Sequence, residues 1–427
     1  MEFLRKLRNN PLLRNSLFAV LGSGFAKTAV LFSGILVAKM LGAADFGGYN
    51  MIKNFVYSLA IFSTFGLGYT ATKFIAENNA NPAVYRAIMR NCNLITMFIS
   101  GILSVLILLF PHSVSIHLFK REDYWIATML MAFWIFFQAI VTLQNAYLAG
   151  LDKFGFIAKI NIISGLLTIS LSVVLTYYYN LDGAVAALLL VQFFTAFVNY
   201  IFLRKGKETT LRAETAGKHY NIFSMLKFNW PIALYDLSIA VFTSAFSYLM
   251  VLWYGYEELG NFSAAMQWFY IIIFIPNILR NVLLSALSSG NNSGTMKKVV
   301  VMNMVITILI STLIIGFYPL IMRFYGNTYY SGRLIISLLS VAAVCTGIIN
   351  ILLQSFISSG NNVIILVQRI LADAGCIFIF FFLSHWKKDW PGSINLSIGF
   401  FISNLLLLLI TVISYKRYIV ANENRTN

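Results

Sequence analysis

Long apolar runs alternate with short polar stretches along the whole 427-residue chain. A helix needs about 20 mostly apolar residues to cross the hydrocarbon core of a bilayer. The pattern therefore predicts an all-α integral membrane protein with about twelve transmembrane helices. The predicted spans are 16–40, 47–76, 87–110, 123–150, 156–179, 183–203, 224–253, 259–287, 298–318, 333–358, 362–384 and 391–415.

The longest polar stretch lies between the sixth and seventh predicted helices, at 204–221. It predicts a six-helix lobe at 1–203, a cytoplasmic linker at 204–221 and a second six-helix lobe at 222–427. Basic loops are retained on the cytoplasmic side, so the Lys and Arg distribution places both termini in the cytoplasm. The basic N-terminal stretch MEFLRKLRNN is interpreted as the start of a retained first helix, not a cleaved signal peptide.

Composition excludes an ordinary soluble globule. Hydrophobic residues make up 59% of the chain and charged residues 11%, and the mean hydropathy is +0.78. The formal charge of +16 comes from basic residues scattered between apolar runs. That arrangement is typical of loops at a membrane surface, and no nucleic-acid partner is expected. The three cysteines have no paired spacing that would indicate disulfides or a metal site.

Two sets of residues, both of them containing glycines, recur in the second half of the chain. The first set recurs 213 positions later, and a second set recurs after 210 positions, so the two halves are interpreted as a duplication. Because each half has six helices, they form parallel repeats about an axis along the membrane normal. The first set pairs Gly42, Asp45, Phe46, Gly47 and Tyr49 with Gly255, Glu258, Leu259, Gly260 and Phe262. The second pairs Leu143, Gln144, Gly150, Lys159 and Gly165 with Leu353, Gln354, Gly360, Arg369 and Gly375.

The repeated turn has an expected role within each lobe. The glycines would let the first two helices of a lobe turn sharply and pack closely. Asp45 and Glu258 would cap the helix that follows them by accepting from its free N–H groups. The expected result is a rigid clasp between two helices of the same lobe.

Several ionisable side chains lie within the predicted spans, where each costs roughly 2.5–3.5 kcal/mol at a helix centre. The cations outnumber the acids, which predicts a cationic cavity for an anionic cargo such as a diphosphate. The alternative, that these groups reach the headgroups or pair and only hold helices together, stays open. The cations are Lys27, Lys53, Lys159, Arg280 and Arg369. The acids, candidate coupling or counter-ion groups, are Asp236 and Asp373.

Other side chains are candidate cavity lining because they share helical faces with these charges or offer aromatic rings. For the aromatic rings the alternative, anchoring of a helix at the membrane interface, stays open. They are Asn54, Tyr57, Asn277, Asn281, Trp268 and Tyr270. Arg369 and Asp373 are spaced i, i+4, and mutual neutralisation is as compatible with that spacing as a role in substrate binding. Asp236 is equally compatible with coupling to an ion and with pairing to Arg280 or another buried cation.

The motifs of catalysis are missing from the sequence. It contains no Walker lysine motif, no D-x-D motif, and no histidine arrangement with metal-ligand spacing. We therefore expect no catalytic residue, no cofactor and no metal site. A transporter is favoured over the enzyme alternative, a membrane glycan-processing enzyme.

Two stretches carry a resemblance to a known family: LGAADFGGYNMIKNFVYSLAIFSTFGLGYTATKFIAE, at Leu41–Glu77, and NAYLAGLDKFGFIAK, at Asn145–Lys159. They resemble the polysaccharide or O-antigen flippases of the MATE-like MOP superfamily. The resemblance implies two six-helix lobes around a V-shaped cavity that is open to each side in turn. It also implies transfer of a polyprenyl-diphosphate-linked oligosaccharide, for O-antigen, lipopolysaccharide or another surface polysaccharide, to the outer leaflet of a bacterial inner membrane.

The same resemblance implies further expectations about partners and energy. The partners are the lipid-linked oligosaccharide, the membrane and other polysaccharide-assembly proteins, and the candidate coupling ion is H+ or Na+. The alternative within the superfamily is a cation-coupled exporter of drugs or organic cations. Such exporters favour acids in the cavity, whereas the first helix here carries Lys27 and no acid.

Overall fold

The computed structural model describes residues 11–205, 222–288, 293–326, 329, 332–358, 362–387 and 389–426. Within these ranges the chain forms thirteen helices and no strand. The helices are α1 (Pro11–Thr64), α2 (Leu67–Glu77), α3 (Pro82–Leu109), α4 (Pro111–Leu118), α5 (Trp125–Gly150), α6 (Phe154–Lys205), α7 (Ile222–Tyr254), α8 (Tyr256–Ser288), α9 (Ser293–Gly316), α10 (Tyr318–Tyr325), α11 (Gly332–Ser358), α12 (Asn362–Trp386) and α13 (Gly392–Thr426).

Two of the longest helices are broken by a residue with positive φ. Gly42 (φ 73°, ψ 176°) interrupts α1, and Asn180 (φ 49°, ψ −128°) interrupts α6. Glycine adopts such a backbone at little steric cost, and asparagine tolerates positive φ better than most residues. Each of these helices is therefore two helical segments in sequence. With α2, α4 and α10 set aside as short, the described part of the chain contains twelve long segments, which agrees with the sequence prediction.

The second predicted span, 47–76, is not one helix. Helix α1 ends at Thr64 and α2 begins at Leu67. Between them Gly66 adopts a left-handed backbone (φ 71°, ψ 2°). A left-handed glycine at a helix end stops the regular hydrogen-bond pattern, so the apolar run continues through a change of helix that hydrophobicity alone does not reveal.

The helices are long and apolar enough for a multi-pass membrane protein. Eight of them, among the described residues, could cross a bilayer, with mean hydropathy between 1.6 and 2.5. Two of the eight, Gly24–Thr64 and Phe154–Arg204, contain the breaks described above and have 41 and 51 residues. At 1.5 Å per residue, each is long enough for two crossings. A ninth candidate is the pair Val300–Gly316 and Tyr318–Tyr325, bent by 64°.

The internal duplication is visible in the structure. Helices α4 and α10 are both eight residues long and each follows a long helix that ends just before it. On α3, the Ser104 hydroxyl donates to the carbonyl of Ala132 on α5 at 2.7 Å. On α9, the Ser311 hydroxyl donates to the carbonyl of Ser340 on α11 at 3.3 Å. The same contact therefore recurs at matching positions, as parallel repeats require.

The chain packs as two compact units. The first comprises Met1–Leu41 and Met51–Ser244, and the second comprises Gly42–Asn50 and Ala245–Asn427. Residues 206–221 of the predicted linker lie outside the described residues. The lobe boundaries drawn from the sequence stay a prediction.

The first unit has a core cluster between α2, α3 and α5. The Tyr147 hydroxyl lies inside it, donates to Asn93 Oδ1 (2.9 Å) and lies 3.2 Å from the second acceptor, Met89 O. This buried hydroxyl is thereby satisfied without water. The cluster is formed by Leu67, Ala71, Ile75, Val84, Ile88, Cys92, Leu143 and Tyr147.

The second unit contains a close crossing between the repeated glycine turns. A Cβ added to Gly47 would lie 2.1 Å from the carbonyl oxygen of Tyr256. A Cβ added to Gly260 would lie 1.8 Å from the carbonyl oxygen of Ala43. The two contacts are equivalent under the repeat, so the two segments meet backbone to backbone. The glycines thus join the turn of one repeat to the turn of the other, whereas we expected them to join helices of the same lobe.

The acid of the second turn caps a different helix from the expected one. Glu258 is buried, and its Oε2 accepts from the backbone N–H of Ser393 (2.8 Å) and from the Ser393 hydroxyl (2.5 Å). Ser393 lies in the first turn of α13, where N–H groups lack helical partners and favour a negative charge. The carboxylate therefore fixes the start of α13 against α8.

Candidate functional site

A polar strip on the second segment of α1 packs against α7 in the first unit. The Ser58 hydroxyl is 2.6 Å from the carbonyl of Ala240 and 2.6 Å from the Ser244 hydroxyl. The Ser244 hydroxyl also donates to the Asn54 carbonyl at 3.1 Å. Small hydroxyl residues allow such close helix approach in a membrane and satisfy each other there. The strip is therefore held rigidly on one side.

The contacts give the register of the two helices. Asn54 lies opposite Ser244, and Ser58 lies opposite Ala240. Further along, a Cβ at Gly66 would lie 2.5 Å from that of Ala233. The helices are therefore antiparallel. Asp236, one turn from Ala240 on the same face of α7, lies beyond Ser58 and away from Asn54.

Lys53 and Tyr57 flank this contact. The Lys53 side chain is half-buried, and Tyr57 is 39% exposed. The Tyr57 ring stands edge-on to the buried ring of Trp134 from α5, with centroids 6.1 Å apart. Lys53, Asn54 and Tyr57 thus form a polar patch. The serine contacts fix its backbone, and the Trp134 ring packs against the Tyr57 ring.

Two further lysines lie on helices that pack in parallel. Gly22 on α1 lies against Ala158 on α6, and Gly165 on α6 lies against Ala29 on α1. Lys27 and Lys159 are both exposed on these helices. Together with Lys53 they place three cations on spanning segments of the first unit.

In the second unit Arg369 and Asp373 form an ion pair. Arg369 Nε donates to Asp373 Oδ2 at 2.9 Å, and Arg369 Nη2 lies 2.7 Å from Asp373 Oδ1. The two side chains are 23% and 7% exposed. A two-pronged pair of this kind is the strongest arrangement for a guanidinium and a carboxylate. The guanidinium is thus engaged by its own helix, as one of the two sequence interpretations has it.

The other predicted residues of the second unit are placed less completely. Trp268 is half-buried and Tyr270 is 55% exposed, both on α8. The side chains of Asn277, Arg280 and Asn281 lie outside the described part of the structure, although their backbones belong to α8. No group of three or more His, Cys, Asp or Glu that would hold a metal ion occurs among the described residues.

A family model described as "Polysaccharide biosynthesis protein" matches residues 12–289. The chain belongs to this family. The match covers the glycine turns and the lysine-bearing helices described above. Among curated proteins, none matches this chain.

Solved structures of transporters share its fold. An inward-facing multidrug resistance MATE family transporter of the MOP superfamily superposes with a TM-score of 0.77 at 15% identity, over 96% of this chain and 100% of that chain. A MOP superfamily transporter from Pyrococcus furiosus gives 0.70 at 16% identity, over 96% of each chain. An outward-facing MATE transporter gives 0.63 at 16% identity, over 97% of this chain and 96% of that chain. The chain therefore has the MATE-like all-α fold.

The sequence did not predict the residues that hold the polar patch of Lys53, Asn54 and Tyr57 in place. Ser58 and Ser244 drew no attention because single serines are common in membrane helices. The only indication in the sequence was their spacing. Asn54 and Ser58 are four residues apart, as are Ala240 and Ser244, so each pair lies on one face of its helix. The register that brings these pairs together is a property of the folded chain.

Proposed function

We propose that this member of the polysaccharide biosynthesis family is a flippase. It transfers a polyprenyl-diphosphate-linked oligosaccharide, the repeat unit of a surface polysaccharide such as O-antigen, from the cytoplasmic to the outer leaflet of a bacterial inner membrane. The polysaccharide biosynthesis family and the transporter fold support this proposal. Both termini are cytoplasmic, and transport proceeds by alternating access.

The observation that carries the proposal is the set of lysines on spanning helices of the first unit. Lys27 and Lys159 are exposed and Lys53 is half-buried. A lysine facing lipid near a helix centre costs roughly 2.5–3.5 kcal/mol, so such residues generally face water or bind a charged partner. A diphosphate offers several anionic oxygens, and lysine binds phosphate as a compact point charge.

The charge balance favours an anionic cargo over an organic cation. Asp373 is engaged by Arg369, so this acid is poorly placed to attract a cationic drug. The Pyrococcus furiosus transporter is described by the reverse polarity of its binding pocket and a different function. A common fold is therefore compatible with pockets of either sign, and the local charges, here the lysines, must decide.

Energy for transport would come from an ion gradient. Asp236 is half-buried on α7, close to the serine contact that joins α7 to α1. Protonation or Na+ binding would relieve the cost of keeping this carboxylate in a spanning helix. We propose Asp236 as the coupling group, with other polysaccharide-assembly proteins supplying and consuming the lipid-linked substrate.

The test is reconstitution of the purified chain into liposomes that contain a polyprenyl-diphosphate-linked oligosaccharide, read by a probe that reaches one leaflet only. Lys53→Ala should fold normally and lose most flipping, and Lys53→Arg should keep part of it. The matched control is Lys73→Ala, because Lys73 pairs with Glu77 at 3.8 Å near a helix end. Full activity of Lys53→Ala would refute the role of this lysine.

Two further outcomes separate the alternatives. Export of organic cations without flipping would identify a drug exporter. Sugar transfer by the purified chain alone would identify a glycan-processing enzyme. Loss of the pH and Na+ response in Asp236→Asn supports coupling through this residue, and an unchanged response contradicts it.

A further inference from the structure

One side of α12 is exposed and apolar along the whole helix. Val363–Trp386 has 24 residues and a mean hydropathy of 2.1, so it is one of the candidate spans. Large exposed side chains recur along it at steps of four or seven residues, which places them on one side of the helix. This apolar stripe includes Val363, Val367, Leu371, Phe378, Phe382 and Trp386, each between 49% and 70% exposed.

The polar side chains of α12 lie on the opposite side. Gln368 and Asp373 are only 4% and 5% exposed. Asp373 pairs with Arg369, and the Gln368 amide donates to the Ser414 hydroxyl of α13 at 3.2 Å. Polar and ionisable groups of a spanning helix turn towards protein, and its apolar side is left to the lipid. The apolar stripe therefore faces the hydrocarbon chains of the membrane.

The length of the span brings Trp386 to the headgroups. At 1.5 Å per residue, 24 residues extend over about 36 Å. The hydrocarbon core of a bilayer is about 30 Å thick, and about 40–45 Å with the headgroup regions. The helix is thus longer than the core. Tryptophan is enriched where the chains meet the headgroups, so the end of the stripe marked by Trp386 lies at that level.

A lysine follows directly and lies beside two tryptophan rings. Lys387 Nζ is 5.4 Å from the ring centroid of Trp386 and 5.8 Å from that of Trp390, within the roughly 6 Å of a cation–π contact. The turn holds this arrangement, because the Trp390 N–H donates to the Lys387 carbonyl at 3.1 Å. The salt bridges found among the described residues involve other side chains. An ammonium has three N–H donors, so it can bind an oxygen ligand while it stays beside both rings.

The corresponding turn of the first repeat has aromatic rings and no cation. With the offset of 210 residues, Lys387 corresponds to Tyr177. Tyr177, Tyr178 and Tyr179 are 73%, 70% and 65% exposed. Both repeats therefore present exposed aromatic rings at this turn, as interfacial anchors do, and the second repeat has added a positive charge between its rings.

We propose that Trp386, Lys387 and Trp390 bind the headgroup of a membrane phospholipid, with the Lys387 ammonium on its phosphate. The occupant follows from the continuity of the surface. A lipid whose chains lie along the apolar stripe has its phosphate at the end of the stripe, where the lysine is. Phosphatidylglycerol is preferred over phosphatidylcholine, because its headgroup is anionic and carries no cation of its own to compete with the lysine. The site does not depend on the proposed transport function.

The first experiment measures the depth of the two tryptophan rings. The chain is placed in nanodiscs whose phospholipids carry bromine, a fluorescence quencher, either near the headgroup or near the chain end. The emission of the two rings is the difference between the wild type and the double variant Trp386→Phe with Trp390→Phe. This emission should be quenched more strongly by bromine near the headgroup. Absence of quenching, or stronger quenching from the chain end, overturns the site.

The second experiment tests the lysine. The melting temperature of the purified chain in detergent is followed as phosphatidylglycerol is added, which gives an apparent affinity. Lys387→Gln should weaken this affinity about fivefold, the equivalent of about 1 kcal/mol for one lysine at an anionic surface, and Lys387→Arg should retain it. Lys120→Gln is the matched control, because it removes an exposed lysine from the turn between α4 and α5, and it should behave like the wild type.

Three results of this titration overturn the proposal. The first is an unchanged affinity in Lys387→Gln. The second is an equal loss in Lys120→Gln, because the effect would then belong to net charge and not to this turn. The third is displacement of phosphatidylglycerol from Lys387 by a polyprenyl diphosphate without sugar, which would make the turn a cargo site instead of a site for membrane phospholipid.

Discussion

Replacing Gly47 by alanine should destabilise the protein by crowding the crossing with α8. The added Cβ would lie 2.1 Å from the Tyr256 carbonyl oxygen, whereas carbon and oxygen atoms in close helix contacts stay about 3.3 Å apart. The two segments must therefore separate by roughly 1 Å. Overpacking of this kind costs about 1–3 kcal/mol, and Gly47→Val should cost more because its two methyl groups are added at the same place.

The crossing also predicts how two substitutions combine. Gly260→Ala would place its Cβ 1.8 Å from the Ala43 carbonyl, so it pushes apart the same two segments. Once Gly47→Ala has separated them, the second methyl group meets less resistance. The double variant should therefore cost less than the sum of the single variants, which is the sign of a shared contact.

The assay is thermal unfolding of purified variants in one detergent, with monodispersity checked by size-exclusion chromatography. Gly101→Ala is the matched control, because a Cβ at Gly101 on α3 would have no atom within 4 Å. That variant should be neutral or slightly stabilising, since alanine favours a helix over glycine. The backbone crossing is wrong if Gly47→Ala and Gly101→Ala have the same melting temperature. It is also wrong if the stability losses of Gly47→Ala and Gly260→Ala add up fully in the double variant.

Three other predictions concern polar contacts and use the same unfolding assay. Asp373→Asn should destabilise the protein by about 3–5 kcal/mol because Arg369 loses its charged partner. The double variant Arg369→Met with Asp373→Leu should recover most of that stability. Equal stability of Asp373→Asn and the wild type would contradict the buried pair. Glu258→Gln should lower the stability by about 1–2 kcal/mol, because it removes the negative charge at Ser393, and Glu258→Ala should lower it further. An unchanged melting temperature in both variants would exclude the cap. Ser58→Ala should cost about 1 kcal/mol, and a cost above about 3 kcal/mol would show that the hydroxyl does more than join two helices.

The helices could be predicted because their signal is local. Each span is a run of apolar residues, and a bilayer requires a run of known length. The break at Gly66 was missed because the apolar pattern continues across it. Glycine is common within membrane helices, so its presence does not by itself indicate a helix end. The break at Asn180 was predicted only as a short gap between spans, since positive φ at an asparagine is set by the packing around it.

The candidate site was predictable in its residue types and not in its contacts. Lys53 and Asn54 were identified because polar groups are costly in a span. The Arg369–Asp373 pair was foreseeable as an alternative because it lies within one helix turn. The lack of hydrogen-bond partners at the Asn303 amide among the described residues could not be foreseen, because it depends on how α9 packs in the folded chain.

The two repeats have kept a common scaffold and diverged in charge. Lys159 of the first repeat corresponds to Arg369 of the second, so both have kept a cation at this place. Four residues later the first repeat has Ile163 and the second has Asp373. An acid at that spacing binds the cation of its own helix, whereas an isoleucine leaves Lys159 exposed. One substitution therefore accounts for the difference between a cation that is paired within its own helix and a cation that has no acid at this spacing. The cations that we propose for binding the cargo therefore belong to the first repeat.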